Sequence, residues 1–334
     1  MKAVIVREFG AVGLAQVEDA PTPLPQRGQV QIRVVMAPAN FVDTLVLTGK
    51  YQFLPERPFA PGKGPVGVVT ALGAGTRRFQ VGDRALAMAE HGGYAQYACV
   101  DEDQCYKLPA DMPFEAAASI SLAYDTAWFA LRDRARLARG ETVLVLGSTG
   151  AVGHAAIQLA KAMDARVIAA VSSPGKAETA LKAGADSIVD LGGPDLRDGL
   201  REQVWRLTDG RGADVVIDPV GGDIFDAAIR AVAWRGRVVI IGFAAGRIPT
   251  VRANYLLVKN MEVSGLQISD YRKRKPDQVR EAFEEIFDLY TKKRLAPPAV
   301  TTYQLEDYAT ALNDLVNRRV QGRAVLLPWG ETKA

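Results

Sequence analysis

Short apolar runs of strand length dominate the first third of this 334-residue chain. They stand at Ala3–Val6, Gln29–Val35, Gly67–Ala71, Arg84–Met88 and Tyr94–Val100. Glycine and proline separate the runs, most densely in Pro21-Thr-Pro-Leu-Pro25, and both residues favour turns over regular structure. This spacing predicts a compact, mostly antiparallel β domain in this part of the chain.

From about Ser121 the pattern changes to apolar strands that alternate with helices. The six buried-strand candidates are Thr142–Leu146, Arg166–Val171, Ser187–Val189, Asp214–Ile217, Arg237–Ile241 and Met261–Ser264. Helical segments are predicted between them, including Ala151–Met163, Gly175–Ala183 and Asp223–Ala233. Such alternation is typical of an α/β fold with a doubly wound parallel sheet.

Beyond about Leu266 the alternation stops. The remaining candidates are a helix at Asp277–Leu289, a strand at Thr301–Gln304, a helix at Leu305–Asn317 and a strand at Arg323–Leu327. We expect this segment to return to the first domain, so that the α/β domain is an insertion. The predicted boundaries are residues 1–122 plus 266–334 for the β domain and residues 123–265 for the α/β domain.

A glycine loop follows the first strand of the α/β domain. Glycine stands at Gly147, Gly150 and Gly153, between a strand that ends at Leu146 and an amphipathic helix. Glycines at this spacing allow a tight turn, close approach of main-chain N–H groups to a pyrophosphate, and packing of the helix on its strand. The loop therefore predicts a dinucleotide site, to which we assign Gly147, Thr149, Gly150, Ala151 and Val152.

The end of the next strand indicates which dinucleotide binds. An Asp or Glu there would accept hydrogen bonds from the ribose of NAD, but this chain has Ser172 and Ser173, followed by Lys176. Asp164 lies at the wrong end of that strand, and Glu178 lies inside the next helix. Small hydroxyls and an ammonium group suit a 2′-phosphate, which a carboxylate would repel. The predicted cofactor is therefore NADPH. The alternative role of Lys176 is that of an ordinary surface lysine at a helix start.

Composition adds limits rather than chemistry. The net charge of +3 is spread along the chain, and we interpret the basic cluster at residues 272–275 as a solvated helix start rather than a nucleic-acid site. No apolar run reaches the ~20 residues that span a bilayer, and the start of the chain does not resemble a signal peptide. Two cysteines without a CxxC pair exclude a disulfide framework. A cytoplasmic enzyme without nucleic-acid or membrane partners is expected.

Ten collinear motifs resemble one family over nearly the whole chain. They are Asn40-Phe-Val-Asp43, Gly49-Lys-Tyr51, Pro61-Gly62, Val81-Gly-Asp-Arg84, Gly93-Tyr-Ala-Gln-Tyr97, Lys107-Leu-Pro109, Gly147–Gly153, Ala183-Gly-Ala-Asp186, Asp218-Pro-Val-Gly-Gly222 and Gln321-Gly-Arg323. The chain is identified by them as a member of the zinc-independent quinone oxidoreductase branch of the medium-chain dehydrogenase/reductase superfamily. The resemblance implies a GroES-like catalytic domain around a Rossmann domain, an active site in the cleft between them, and a homodimer often paired through sheet edges.

The resemblance also bears on metal chemistry. Zinc-dependent relatives place Cys, His and Cys at positions that match Asn40, Lys63 and a residue near Leu122 here. None of these ligates zinc well, because the ion prefers thiolate, imidazole or carboxylate ligands. No metal is therefore expected. Without a Lewis acid to polarise a carbonyl, hydride addition favours a conjugated acceptor such as a quinone, an enone or an enoyl thioester.

Candidate catalytic residues follow from the same resemblance. Tyr51 matches a catalytic tyrosine of enoyl thioester reductases and could donate a proton, or could merely line the pocket. Asn40 could bind the nicotinamide or the substrate carbonyl, or could cap a helix. Asp43 is assigned to the cofactor-binding residues as well. Its alternative role is structural, namely to hold the loop. Thr126 matches a threonine near the nicotinamide, and Tyr124 is placed in the same cleft.

Two departures from the family pattern concern charge. Lys63 in Gly62-Lys63-Gly64 replaces part of a Gly-x-Glu segment, and either attracts an anionic substrate or faces solvent beside a tight turn at Gly64. Leu191 replaces a tyrosine that helps to bind the phosphate, for which Arg318 could compensate. The expected cofactor-binding set also contains Val220, Gly242, Phe243, Ala244 and Leu266.

The sequence thus predicts an NADPH-dependent, zinc-independent oxidoreductase that acts on a small conjugated carbonyl compound. An enoyl-CoA or acrylate-type C=C reductase is the alternative enzyme. A non-catalytic, crystallin-like NADPH-binding protein is the alternative from another class.

Overall fold

The computed structural model describes residues 1–330, which form two compact units. One unit contains Met1–Leu122 and the residues from Pro297 on, and the other is the continuous segment Ala123–Ala296. Residues 266–296, which we expected in the first domain, pack within the second, and residues 331–334 of that expectation lie outside the described chain. Among residues 1–330, no helix is both long and apolar enough to cross a membrane.

The strands of the described chain are β1 (Lys2–Ile5), β2 (Gln16–Asp19), β3 (Gln29–Pro38), β4 (Val66–Leu72), β5 (Arg84–Ala87), β6 (Tyr97–Asp101), β7 (Cys105–Lys107), β8 (Thr142–Val145), β9 (Arg166–Val171), β10 (Ser187–Asp190), β11 (Ala213–Asp218), β12 (Val232–Ile240), β13 (Glu262–Gly265), β14 (Val300–Gln304) and β15 (Arg323–Leu327). The α-helices are α1 (Phe41–Leu47), α2 (Phe114–Ile120), α3 (Ala123–Phe129), α4 (Ala151–Ala162), α5 (Ala177–Lys182), α6 (Leu196–Leu207), α7 (Gly222–Ala228), α8 (Ala253–Lys259), α9 (Ile268–Arg274), α10 (Pro276–Thr291) and α11 (Tyr308–Val316).

The first unit is built on a sheet in which β3 is the central strand. The strand order is β14-β15-β3-β4-β5-β7, with β6 also paired to β3. Only β14 and β15 run parallel to each other, so the sheet is mostly antiparallel, as the sequence predicted. Val30, Ile32 and Val34 alternate along β3 and enter one buried core, because successive side chains of a strand point to opposite faces.

The second unit contains a six-stranded sheet in which every pairing is parallel. Its strand order is β10-β9-β8-β11-β12-β13, so the order reverses between β8 and β11. All four residues of β8 are buried, as expected of a strand covered by helices on both faces. The doubly wound sheet predicted from the sequence is confirmed.

A buried ion pair explains why residues 266–296 belong to this unit. The Arg272 guanidinium donates a hydrogen bond of 2.6 Å to the Asp125 carboxylate of α3, and the two side chains are 1% and 0% exposed. Nearby, Trp128 Nε1 donates to Glu285 of α10 at 2.8 Å. The prediction that residues 272–275 form a solvated helix start was therefore wrong, because Arg272 is buried and residues 272–274 form the last turn of α9, although Arg274 is exposed.

Removal of Arg272 tests the importance of this pair. We expect Arg272→Ala to lower the free energy of unfolding by about 3–5 kcal/mol, because it leaves the Asp125 carboxylate buried without its counter-ion. Urea unfolding followed by circular dichroism measures the change. Arg274→Ala, at an exposed position of the same helix, is the control and should change stability by less than about 0.5 kcal/mol. Equal effects of the two substitutions would contradict this account.

Candidate functional site

In the second unit, the candidate site lies at the edge of the sheet where the strands end. Strands that run parallel all end at one edge, and ligands of such sheets bind where the strand order reverses. Here that point lies between β8 and β11, where the Leu146 N–H donates to the Ile217 carbonyl at 3.0 Å. The glycine loop starts at the next residue, Gly147.

Each of the three positions in the loop requires glycine or suits it for a different structural reason. Gly147 has a φ of +58°, a backbone conformation that side chains disfavour. At Gly153 a Cβ atom would lie 2.2 Å from the Gly147 carbonyl oxygen, so only glycine lets α4 pack this closely on the turn. Gly150 is the N-cap of α4, and because it has no side chain it leaves the first N–H groups of the helix without a side-chain cap. Thr149, Ala151 and Val152 therefore stand at a helix start whose N–H groups suit an anion, and the loop fits a pyrophosphate.

The end of β9 carries the hydroxyl and ammonium groups that the sequence predicted. Lys176 Nζ donates to Ser172 Oγ at 3.1 Å, and the Lys176 N–H donates to the Ser173 carbonyl at 3.1 Å. Ser148 Oγ of the glycine loop donates to the Ala170 carbonyl at 2.8 Å, which ties the loop to this strand.

The nearest acid on the following helix is engaged elsewhere. Glu178 forms an exposed ion pair of 2.7 Å with Lys182, one helical turn further on. Among the described residues, none of the ion pairs joins Lys176 to a carboxylate. This strand end therefore fits a phosphate better than a ribose diol.

The remaining cofactor candidates of this unit lie at the same edge. The buried Asp218 carboxylate accepts hydrogen bonds from the N–H groups of Val220 and Gly221, at 2.8 and 2.9 Å. A Cβ at Gly147 would lie 2.8 Å from Val220 Cγ2, so the β8 and β11 loops touch. The loop after β12 joins them, because the Ala244 N–H donates to the Pro219 carbonyl at 3.2 Å.

The ends of β12 and β13 supply the last members of this group. Gly242 and Phe243 follow β12 after one intervening residue, and Phe243 is partly exposed. Leu266 follows β13 and donates its N–H to the Ile240 carbonyl at 2.9 Å. The structure thus brings together the loops that carry Gly147, Val220, Phe243 and Leu266.

Three further candidate site residues lie outside this group of loops. Thr126 is buried in α3, and its N–H donates to the Asp125 carboxylate at 2.7 Å. Tyr124 is 1% exposed and donates its hydroxyl to Gln158 at 3.0 Å, so it is a core residue and not the pocket residue we expected. Arg318 lies in the first unit, exposed at the end of α11 with a φ of +58°. Its part in phosphate binding stays a prediction.

In the first unit, Asn40 and Asp43 form a buried network at the start of α1. The Asp43 carboxylate accepts hydrogen bonds from the Asn40 N–H at 2.9 Å and from the Tyr94 hydroxyl at 2.9 Å. The Asn40 side-chain oxygen accepts from Arg323 at 2.9 Å, while its NH₂ group donates to the Pro38 carbonyl at 3.1 Å. Both the oxygen and the NH₂ group of the Asn40 side chain thus form hydrogen bonds within the protein.

This network does not support the ligand contacts predicted for its two members. Asn40 is 4% exposed and Asp43 is 1% exposed, so neither side chain is available without exchanging its present bonds. Their alternative roles agree with the structure, since Asp43 holds the loop and the Asn40–Asp43 pair caps α1. Both are positioning residues in this structure.

Lys63 and Tyr51 form the second cluster of this unit. Lys63 is only 2% exposed, and its ammonium group forms an ion pair with Glu90. The same Nζ lies 5.0 Å from the centre of the Tyr51 ring, within the range of a cation–π interaction. Lys63 therefore does not face solvent, and its compensated charge gives little attraction for an anionic substrate. Gly64 beside it has a φ of +68°, as a tight turn requires.

Sequence reasoning missed Glu90, Tyr94 and Arg323 as members of these clusters. Glu90 had a visible signal, because it is an acid directly after the apolar run Ala85–Ala89. Arg323 was part of a family motif, but nothing in the local pattern connects it with Asn40. Among the described residues, no group of three or more His, Cys, Asp or Glu side chains could share a metal ion.

Asp43 makes stability depend on pH. Burial raises the pKa of its carboxyl from 3.8 to about 6, against the opposing effects of its hydrogen bonds and of Lys63. The folded state therefore holds this proton more tightly than the unfolded state, and the associated stability is lost as the pH rises through about 6. The shift corresponds to about 3 kcal/mol.

We expect Asp43→Asn to remove this dependence. Between pH 3 and pH 7, the free energy of unfolding of the unmodified protein should fall relative to that of the variant by about 3 kcal/mol. Urea titrations at a series of pH values measure the difference. Asp111→Asn, at an exposed position, is the control and should keep the original slope. Parallel curves for the unmodified protein and Asp43→Asn would contradict the assignment.

Comparison with known proteins agrees with both units. The alcohol dehydrogenase GroES-like domain family matches residues 26–110, and the zinc-binding dehydrogenase family matches residues 151–288. The chain is 35% identical over 307 residues to the quinone oxidoreductase-like protein 2 of Bos taurus, covering 91% of this chain and 87% of that protein.

Solved structures show the same similarity. A Pseudomonas syringae quinone oxidoreductase superposes with a TM-score of 0.91 at 31% identity, covering 98% of this chain and 99% of that one. An Escherichia coli quinone oxidoreductase solved as a complex with NADPH gives a TM-score of 0.90 at 28% identity, covering 98% and 100%. The chain belongs to the zinc-independent quinone oxidoreductase branch of the medium-chain dehydrogenase/reductase superfamily.

Proposed function

We propose that this protein is an NADPH-dependent, zinc-independent oxidoreductase that delivers hydride to a quinone or another conjugated carbonyl acceptor. The observation that carries the proposal is the end of β9, where Lys176 donates to Ser172 and the following acid, Glu178, is paired with Lys182. That arrangement favours the 2′-phosphate that distinguishes NADPH from NADH. The NADPH complex of the Escherichia coli relative supports the same cofactor.

The choice of acceptor follows from the groups that stand where relatives carry zinc ligands. Asn40 is an amide engaged with Arg323 and Asp43, and Lys63 is an ammonium group paired with Glu90. Amide and ammonium groups are poor zinc ligands. An acceptor whose conjugation already spreads the incoming charge needs less help from the protein, which favours quinones and enones.

When bound, NADPH supplies the hydride. This chain's own residues would hold its pyrophosphate on the glycine loop and its 2′-phosphate at Ser172, Ser173 and Lys176. Tyr51 would supply the proton that balances the hydride, because a neutral phenol can donate to a developing enolate. Lys63, held by Glu90 close to the Tyr51 ring, would position that ring rather than bind substrate.

Cofactor preference tests the role of the β9 strand end. We expect NADPH to bind much more tightly than NADH, and Lys176→Ala to weaken NADPH binding at least tenfold with little effect on NADH. The physical reason is the loss of one charge-assisted hydrogen bond to the 2′-phosphate, of about 1.5–3 kcal/mol. Fluorescence titration with both nucleotides measures the affinities.

Lys182→Ala is the matched control for this measurement, since Lys182 belongs to the same helical segment but pairs with Glu178. It should leave both affinities unchanged. Equal binding of NADPH and NADH by the unmodified protein would refute the cofactor assignment.

The acid role of Tyr51 predicts a difference between acceptors. We expect Tyr51→Phe to slow the reduction of enones and enoyl thioesters at least tenfold, because carbon–carbon reduction must protonate an enolate. Quinone reduction should change less, because the reduced quinone takes up its protons readily from water. Steady-state NADPH oxidation with one acceptor of each class measures both rates.

Tyr97→Phe provides the control, because it removes a hydroxyl from the same unit at a ring that packs on Trp329. An unchanged enoyl rate in Tyr51→Phe would remove the acid role while leaving the cofactor assignment intact. A panel of quinones, enones, acrylates and enoyl-CoA esters would also separate the two enzyme alternatives. NADPH binding without turnover of any acceptor would favour the non-catalytic alternative. The homodimer and the cytoplasmic location stay predictions.

A further inference from the structure

A basic pocket lies among the helices of the second unit. It has a volume of about 320 Å³ and is lined by seven residues, of which four are basic and none is acidic. The basic residues are Arg197, Arg201, Arg230 and Lys259, and Asn254 and Tyr255 add polar groups beside them. Ligand pockets of this size hold small molecules, and the lining selects for negative charge.

This pocket is separate from the glycine loop. Lys259 Nζ donates to the carbonyls of Arg230 and Val232, both at 2.7 Å. Val232 is the first residue of β12, and the glycine loop follows the last residue of β8. Because the sheet is parallel, the starts and the ends of its strands lie at opposite edges. The Lys259 side of the pocket therefore lies towards the edge opposite the predicted NADPH site.

The basic side chains are held in place before any ligand binds. Arg230 forms an ion pair of 2.6 Å with Asp198 and is largely buried. The Arg201 guanidinium stacks on Trp205, with 3.8 Å from its carbon atom to the ring centre. Lys259 is fixed by the two carbonyls. Such preorganisation reduces the conformational entropy that binding would otherwise cost.

The charges of the pocket are only partly compensated. Asp198 offsets Arg230, but among the described residues no carboxylate lies within ion-pair distance of Arg201 or Lys259. Burial, together with repulsion from Arg201 and Arg230, lowers the pKa of Lys259. A bound anion would relieve this repulsion.

We propose that this pocket is a second anion site, which binds a small phosphorylated compound through Arg201, Arg230 and Lys259. Guanidinium groups match phosphate oxygens with paired hydrogen bonds, and the lysine adds a point charge. The volume accommodates a phosphate group together with a small organic portion, beside Asn254 and Tyr255. The proposal does not depend on the identity of the hydride acceptor.

Calorimetric titration with inorganic pyrophosphate tests the site on the full chain. We expect saturable binding that Arg201→Gln weakens at least tenfold and that Lys259→Gln weakens similarly. Arg206→Gln is the matched control, because Arg206 is exposed on the same helix and does not line the pocket. It should retain the original Kd. A second titration in the presence of saturating NADPH shows whether the pyrophosphate binds at the glycine loop instead.

Several outcomes would overturn the proposal. They are no saturable binding to the unmodified protein, an unchanged Kd in Arg201→Gln, an equal loss in Arg206→Gln, or a loss of pyrophosphate binding when NADPH is present at saturation. Because Lys259 also ties together two backbone segments, its substitution could destabilise the unit. Arg201→Gln, which removes no backbone contact, then decides the question alone.

Discussion

The parallel direction of six strands is the constraint on which the second unit depends. Because all six strands end at one edge, loops that are far apart in the chain must meet there, and the reversal of strand order between β8 and β11 opens the space between them. This topology brings together the glycine loop, the end of β9 at Ser172, and the loops after β11 and β12. Single bonds, such as that from Ser148 to the Ala170 carbonyl, then adjust their positions.

The first unit depends instead on one buried carboxylate. Asp43 gathers the Asn40 N–H and the Tyr94 hydroxyl, and Asn40 in turn engages Arg323. Burial alone would make an ionised carboxylate costly, and the hydrogen bonds recover part of that cost. The start of α1 is thereby anchored. The Lys63–Glu90 pair follows the same logic, since a buried ammonium needs a counter-ion nearby.

The features that could be predicted from the sequence were local in the chain. Most of the strands, the glycine loop and the Ser172–Lys176 group each lie within a few residues, so their spacing alone reveals them, while the phosphate-binding role of that group stays a prediction. Pairs between distant residues leave no such pattern. Lys63 and Glu90 are 27 residues apart, Asp125 and Arg272 are 147 apart, and Asn40 and Arg323 are 283 apart. For this reason Arg272 was wrongly expected in solvent, and the buried partners of Asn40 and Lys63 could not be predicted.

The interrupted first unit has a consequence for synthesis on the ribosome. The second unit is one continuous segment, whereas β3 of the first unit must pair with β15, which is made nearly 300 residues later. Domains fold as units while the chain emerges. The second unit can therefore acquire its fold while the first still exposes an open strand edge and part of its core. The nascent chain thus carries a finished cofactor-binding fold beside an incomplete β domain, and that incomplete domain is the part most exposed to aggregation and to chaperones.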